Sequence, residues 1–396
     1  MIPDRASFAY GANHKSWTPC GACFQCALGT KLHLDELGRD SKVNPIERYD
    51  QKGSDTTVSQ YYSHAFIMSL DGFLNRSYDI YKFDPKTSIP DLSGKTIVVT
   101  GGNAGLGFHS ILQLAQHNPH RIYLTARSQA KYDSAMVEIR KQIPTANNMI
   151  RFIQMDLASL ASTKQAAEQI LADASRLDIL INNAGIMGAA AALSPDGYEI
   201  HFATNHMGHA LFTKLLMPLL LQTAKTTTSD VRIVNVSSGA YMLADSKTGF
   251  DENLVKTDMA SFSGSSGNML SRYGQSKLAN VLHAKALAKH YPTITSVAIA
   301  PGRVKTALLD GMYKDGRDKA YAYFQRVYDF VVGALTPEVG AYTQVWAATD
   351  SKDHVKTGVM YNPVGKEDGG NKFSKDEKMV DRLWEFTESE LQKLGY

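Results

Sequence analysis

Between Lys95 and Ala300, short apolar runs rich in β-branched residues alternate with longer stretches in which apolar positions recur every three or four residues. The first pattern predicts strands buried on both faces, and the second predicts amphipathic helices lying on them. Taken in order, strands are predicted over 95–100, 121–125, 149–155, 177–182, 231–236 and 294–300, and helices over 108–116, 128–143, 159–174, 199–223 and 271–290. Further on, the pattern predicts a helix from Thr336 to about Ala348, a last strand over 358–361, and a terminal helix over 376–394 anchored by Leu383, Trp384 and Phe386. Such alternation argues for a doubly wound α/β sheet with parallel strands and helices on both faces. Ligands of these sheets bind beyond the carboxyl ends of the strands, so chemistry is expected in the turns that follow them.

Residues 1–67 break this pattern. They are polar and irregular, without a sustained period, and read as a poorly ordered extension. An alternative start at Met68 would remove them. Residues 68–94 form an amphipathic lead-in, and 95–396 a single catalytic-size domain. All three cysteines, Cys20, Cys23 and Cys26, lie in the extension. With His14 and His33 they resemble part of a thiolate metal site, but no second cysteine pair follows, and reduced thiols are the expectation. The net charge of +3 over 396 residues gives no footprint for nucleic acid. No apolar run is long enough to span a bilayer. The first residues lack the apolar core of a signal peptide, which makes the cytoplasm the expected compartment.

Composition leaves the turns to carry function. After the first strand, Gly101, Gly105 and Gly107 stand in the spacing T-G-x-x-x-G-x-G. Glycine lets the backbone turn sharply and approach a ligand, and the helix that follows offers unpaired N–H groups to an anion such as a dinucleotide pyrophosphate. After the second strand comes Arg127, where an NAD site would place an acid on the ribose hydroxyls, with Lys131 one turn further on. Cations there favour the 2′-phosphate of NADP. Asp156 follows the third strand, placed to meet an adenine edge, and Asn182-Asn183-Ala184-Gly185 follows the fourth. Asn205 lies within the long helix, Ser237 and Ser238 end the fifth strand, and Tyr273 and Lys277 share one helical face at i, i+4. Pro301 to Thr306 leaves the sixth strand.

Each of these signals is weak alone. Together T-G-x-x-x-G-x-G, N-N-A-G, a helical Asn, S-S, Y-x-x-x-K and P-G-x-V-x-T stand in that order, each at the end of the right element. The chain thereby resembles the short-chain dehydrogenase/reductase family, with a Rossmann-type fold. Its stretches 199–208, 273–280 and 361–365 resemble the retinol-dehydrogenase-like branch and its fungal relatives. The resemblance runs from about residue 84 to the C-terminus. It implies a catalytic set of Asn205, holding a water that relays protons; Ser238, bonding the substrate oxygen; Tyr273, the general acid/base; and Lys277, which binds the nicotinamide ribose and biases Tyr273 toward phenolate. It implies cofactor contacts at Leu106, Arg127, Lys131, Asp156, Asn183, Val304 and Thr306 beside the glycines, and self-association through the helices 199–223 and 271–290. Three departures stand out: Arg127 in place of an acid, a long Ser/Gly/Asp-rich stretch between Ser238 and Tyr273, and the extension, which has no family counterpart. Nor does the sequence carry the membrane anchor of many retinol dehydrogenases.

These implications set a chemical requirement. A tyrosine with an ordinary pKa of about 10 must shift down by roughly 2–3 units, about 3–4 kcal/mol, to act as a base at neutral pH. A nearby ammonium and a positive nicotinamide ring favour the phenolate. Residues 304–334, rich in Tyr, Phe, Leu and Met, read either as a lid over an apolar pocket or as core and interface packing. The expected function is NADP-dependent interconversion of a carbonyl and an alcohol on a lipophilic small molecule, retinoid- or steroid-like or a polyketide-type intermediate. The alternative is a catalytically silent, dinucleotide-sensing or scaffold protein on the same fold.

Overall fold

The computed structural model describes residues 83–226, 230–245, 247–260, 265–305 and 334–396. The extension with its cysteines, Met68, most of the lead-in, Thr306 and nearly all of the expected lid lie outside the described residues. The rest is an eight-stranded sheet in the order β3-β2-β1-β4-β5-β6-β7-β8. The strands are β1 Thr96–Thr100, β2 Arg121–Ala126, β3 Ile150–Gln154, β4 Ile179–Asn182, β5 Arg232–Val236, β6 Thr295–Ile299, β7 Met360–Asn362 and β8 Lys366–Glu367. All neighbouring pairs are parallel except β7–β8.

The helices on the faces are α1 Gly105–Ala115, α2 Gln129–Gln142, α3 Leu160–Asp173, α4 Gly208–Ala224, α5 Ser265–His290, α6 Tyr342–Thr349 and α7 Glu377–Lys393. Alternation along the strands divides the core between the two faces. Ile97, Val99, Ile122, Leu124, Val234 and Ile299 pack with Ile111, Met136 and Val345 of α1, α2 and α6. Val98, Tyr123, Leu180 and Ile233 pack with Ile170, Phe212 and Leu220 of α3 and α4. The strand order reverses between β1 and β4, so the turns after these two strands meet at the switch point.

Two predicted elements come out differently, and one strand was not predicted. The helix expected over 199–223 opens as one turn, Ile200–Phe202, widens into a π turn over Ala203–Met207, and only then becomes α4. Helix α5 starts at Ser265 rather than Ser271, running through a Ser/Gly stretch that looks like loop. The hairpin partner β8 was not foreseen; it is a two-residue, charged and exposed edge strand, which blunts the sheet edge.

Helix α7 lies along α4 and α5. Leu383 and Phe386 are buried against Phe202 and Phe250, while Trp384 is only partly buried and stacks on His290 with ring centroids 4.2 Å apart. Thr387 bonds His206 at 2.9 Å, and Lys214 pairs with Glu388 at 2.7 Å. Helix α7 of the same chain thus covers part of both long helices. Among the described residues, no helix is long and apolar enough to cross a membrane.

Candidate active site

The glycine-rich turn is shaped first by the protein itself. Gly101 and Gly105 have φ of +65° and +54°, where a side chain is strained. A Cβ on Gly107 would lie 2.5 Å from both the Gly101 carbonyl oxygen and the Asn183 amide, and one on Gly101 would lie 3.0 Å from the Ala184 Cβ. The turn after β1 is therefore pressed onto Asn183-Ala184 after β4, with no room for side chains between them. Thr100 fastens the two: its hydroxyl accepts from the backbone N–H of Asn183 and of Ala184, both at 2.9 Å, and its carbonyl accepts from the Asn183 amide at 2.7 Å. Helix α1 begins here with no side-chain cap. The uncapped N–H groups at its start suit an anion such as a pyrophosphate, so the residues present fit a dinucleotide at this turn.

Around this cradle, Arg127 and Lys131 are exposed at the start of α2. Asp156 spends one carboxylate oxygen on its own turn, accepting from the Ala158 N–H at 3.1 Å. Leu106 and Val304 close on Gly340, where a Cβ would come within 2.8 Å of the first and 2.5 Å of the second.

On the other side of the switch point stand Ser238, Tyr273 and Lys277. The two serines ending β5 divide their work. The Ser237 hydroxyl is buried and donates to the Lys277 carbonyl oxygen at 2.8 Å. The Ser238 hydroxyl stands close enough to the Tyr273 phenol to favour its ionised form, and it accepts from the Ala240 N–H at 3.2 Å. Lys277 lies 5.7 Å from the Tyr273 ring centroid, and its ammonium donates to the Val236 carbonyl oxygen at 3.0 Å. Gly185 lies beside both Asn205 and Lys277: a Cβ there would sit 3.1 Å from the Asn205 amide oxygen, a tight approach, and 3.4 Å from the Lys277 Nζ.

Burial dominates both titrations. It pushes the Tyr273 phenol up to about 12, against the Ser238 hydrogen bond, and pushes the Lys277 ammonium down to about 8. The phenol therefore stands on the opposite side of 10 from the shift that base chemistry requires. The reason is that desolvation penalises the phenolate by more than the Ser238 hydroxyl favours it.

Asn205 sits at the middle of the π turn. π turns recur at functional sites because they re-aim a carbonyl and a side chain. Gly208 allows this one, since a Cβ there would lie 2.4 Å from the Leu157 carbonyl oxygen. The Asn205 amide is committed to protein: its oxygen accepts from Ile186 N–H at 2.8 Å, and its two hydrogens go to the Ile186 carbonyl and the Ser276 hydroxyl at 3.0 and 2.9 Å. A water at this residue would meet a carbonyl lone pair rather than the amide hydrogens.

Four further side chains complete the site. His209 spans the site: its Nδ1 lies 3.0 Å from the Asn205 carbonyl oxygen, and its Nε2 lies 2.8 Å from the Thr100 hydroxyl. A carbonyl only accepts, so Nδ1 carries the proton and Nε2 accepts from Thr100. Burial pushes this imidazole down to about 3, which keeps it neutral. Gln344 of α6 donates to Asn183 at 3.2 Å and to Ser110 of α1 at 2.5 Å, tying the two cofactor-side turns together. Arg272 and Glu199 form a buried ion pair of 2.9 Å beside Tyr273. Sequence reasoning passed over all four. The signal for Arg272, Glu199 and His209 was a set of charged or polar residues at otherwise buried positions, inside or directly beside the stretches that carry the resemblance.

Comparison with known proteins agrees with this geometry. A family model described as short chain dehydrogenase matches residues 95–246. The chain is similar to the short-chain dehydrogenase/reductase drtF of Aspergillus calidoustus, 35% identical over 320 residues that cover 77% of this chain and 96% of that one. It is equally similar to an uncharacterized oxidoreductase of Schizosaccharomyces pombe, 35% identical over 317 residues, 78% of this chain and 88% of the other. Among solved structures, an uncharacterized protein of Mycobacterium paratuberculosis superposes with a TM-score of 0.58 at 24% identity, covering 78% of this chain and 97% of that one. An NADPH-bound carbonyl reductase from chicken fatty liver does so at 0.50 and 22%, covering 70% and 100%. These superpositions show the shared Rossmann-like fold. By its sequence relatives, the chain belongs to the short-chain dehydrogenase/reductase family, oxidoreductases that interconvert a carbonyl and an alcohol with a nicotinamide dinucleotide.

Proposed function

We propose that this enzyme is an NADP-dependent carbonyl reductase or alcohol dehydrogenase of the retinol-dehydrogenase-like branch, acting in the cytoplasm on a lipophilic substrate of retinoid, steroid or polyketide type. The observation that carries the reading is the convergence of Ser238, Tyr273 and Lys277 on the side of the switch point that faces the uncapped, glycine-lined start of α1. The dinucleotide, held at Gly101, Gly105, Leu106, Gly107, Asn183 and Val304, would supply the hydride. Thr306 is assigned to the same set by resemblance alone. Asp156 keeps its second carboxylate oxygen for the adenine edge. Exposed Arg127 and Lys131 support the choice of NADP, since a guanidinium is matched to a 2′-phosphate.

The proton chemistry belongs to the chain. In the reducing direction Ser238 and Tyr273 donate hydrogen bonds to the carbonyl oxygen as negative charge grows on it, and Tyr273 then gives up its proton. The form needed is the neutral phenol, which is the form burial favours. In the oxidising direction the phenolate is needed, and the Lys277 ammonium favours it. Asn205 fixes the turn after β4 and offers its carbonyl to a relay water. The test is a titration with NADPH and with NADH, read by energy transfer from protein fluorescence to the nicotinamide. Tight NADPH binding, with a preference over NADH that drops about 10- to 100-fold in Arg127→Ala, is the expected result for loss of one charge-assisted contact. Absence of binding by either nucleotide rejects the reading. An NADPH-oxidation screen against a carbonyl library then identifies the substrate class.

A further inference from the structure

The loop Ile186–Ala190 leaves the carboxyl end of β4, where ligands of such sheets bind, and it is held from both ends. Asn205 takes both backbone groups of Ile186. At the far end, Arg272 donates to the Ala189 carbonyl at 3.0 Å and to the Ala190 carbonyl at 3.4 Å. The Ala189 N–H donates to His201 Nε2 at 3.3 Å. That bond fixes the imidazole with its proton on Nδ1, which donates to Glu199 at 2.8 Å. Glu199 in turn accepts from Arg272 at 2.9 Å and from the Phe202 N–H at 2.8 Å. Arg272 is 4% exposed, and Glu199 and His201 are 0% exposed. The cluster also touches the reactive tyrosine: Arg272 is its chain neighbour, and the His201 ring stands edge-on to the Tyr273 ring, centroids 6.2 Å apart. Between the two clamped ends only Met187 and Gly188 are left, partly exposed, with Gly188 at φ +75°.

A buried arginine that spends its guanidinium on main-chain carbonyls of a partly exposed loop is an inefficient way to stabilise a core, because its desolvation must be offset by a carboxylate as well. It is an effective way to fix where that loop stands. We propose that Arg272, oriented by Glu199 and His201, is a positioning residue that holds Met187–Gly188 as a rigid apolar wall of the substrate pocket, in fixed register with the Tyr273 phenol. This deepens the function proposed above and rests on it for the substrate; the clamp itself stands on the contacts alone. The ligand class it selects is a carbonyl flanked by an apolar group that packs against Met187.

The experiment pairs hydrogen exchange with kinetics on the full chain, using 4-nitrobenzaldehyde and the best carbonyl from the screen as probes. In Arg272→Met, amide exchange in the peptide spanning 186–190 is expected to rise about tenfold or more, as for loss of a charge-assisted contact, with the peptide spanning 101–107 unchanged. The KM for the carbonyl is expected to rise about 10- to 100-fold while kcat stays within about threefold and the NADPH Kd is unchanged. Arg272→Lys, which can still reach one carbonyl, should recover part of the KM. Met187→Ala should raise KM without altering exchange at Ala189, which tests the wall without disturbing the ion pair. Should Arg272→Met fold poorly, the double variant Glu199→Gln/Arg272→Met removes both charges and carries the same expectation. Unchanged exchange at 186–190, an unchanged KM, or an equal loss of NADPH binding and turnover would overturn the proposal. A wild-type enzyme that turns over no carbonyl rejects the proposed function, and the exchange measurement then decides on the clamp by itself.

Discussion

Helix α5 carries two buried cations on either side of Tyr273, and the protein treats them differently. Arg272 has its carboxylate: Glu199 accepts from it at 2.9 Å, and the imidazole of His201 completes the pair. Burial alone would raise the pKa of Glu199, but hydrogen bonds from His201 and the Phe202 backbone hold it below the usual carboxylate value. Lys277 has no such partner; among the described residues its ammonium bonds only the Val236 carbonyl, and burial pushes it down to about 8. A compensated charge is a fixture, while an uncompensated one is held near its titration point and close to neutral pH. Reactive groups in active sites are of the second kind, because a proton can be moved on them at small cost. On the proposed function, the contrast separates a scaffold region from a reactive one within a few residues of a single helix.

The strongest way to sharpen that contrast is to remove the phenol from the reactive side. Tyr273→Phe is expected to lower kcat by about 10²–10⁴-fold, as for loss of a general acid, with the NADPH Kd within about twofold. Single-turnover NADPH oxidation measures it, and a variant with wild-type kcat removes Tyr273 from the chemistry. On the compensated side, Glu199→Gln leaves the Arg272 guanidinium buried without a counterion. Urea unfolding should then show a loss of about 3–5 kcal/mol. The double variant with Arg272→Met should be less destabilised than Glu199→Gln alone, since the stranded charge is gone. Additive losses would mean that the two residues act separately and that the pair is not the unit described here.

The grouping of the side chains proposed as reactive was largely legible in the sequence, and the compensated side was not. Tyr273 and Lys277 are read by a local rule, four residues on one helical face, and Ser238 by its place at a strand end. Gly101, Gly105, Gly107 and Asn183 are read from turns that only small residues can make. Arg272 and Glu199 are 73 residues apart, and Gln344 reaches Asn183 across 161. No local period encodes such pairs; they depend on which helix faces which turn. The π turn at Asn205 was hidden for a related reason. The stretch 199–223 has the apolar period of a plain helix, and the π turn over 203–207 stands beside Gly208 packed on Leu157, a contact made only after the sheet is assembled. Helix α7 is strongly amphipathic and easily predicted, yet which surface it covers could not be read from its own residues.

The smallest expected effect tests the contrast from the uncompensated side. Replacing Lys277 by Met keeps the length of the stem and removes the charge. Turnover should fall, but the folded state should gain. In the folded chain the ammonium titrates at about 8, whereas its ordinary value is 10.5. A base whose pKa is depressed by folding costs stability wherever the unfolded chain is protonated at that group. That cost is complete below about pH 8, shrinks as pH rises from there, and disappears above the ordinary value of 10.5. At about 1.36 kcal/mol per pKa unit it amounts to roughly 3 kcal/mol near neutral pH. Lys277→Met should therefore unfold at higher urea than wild type at pH 7, and the difference should narrow as pH is raised toward 10.5. A variant less stable than wild type at pH 7, or a difference independent of pH, would mean that the Val236 carbonyl and its surroundings compensate the ammonium after all. Lys277 would then be a fixture like Arg272, and the stability given up to keep a titratable cation beside Tyr273 would no longer distinguish the two sides of the helix.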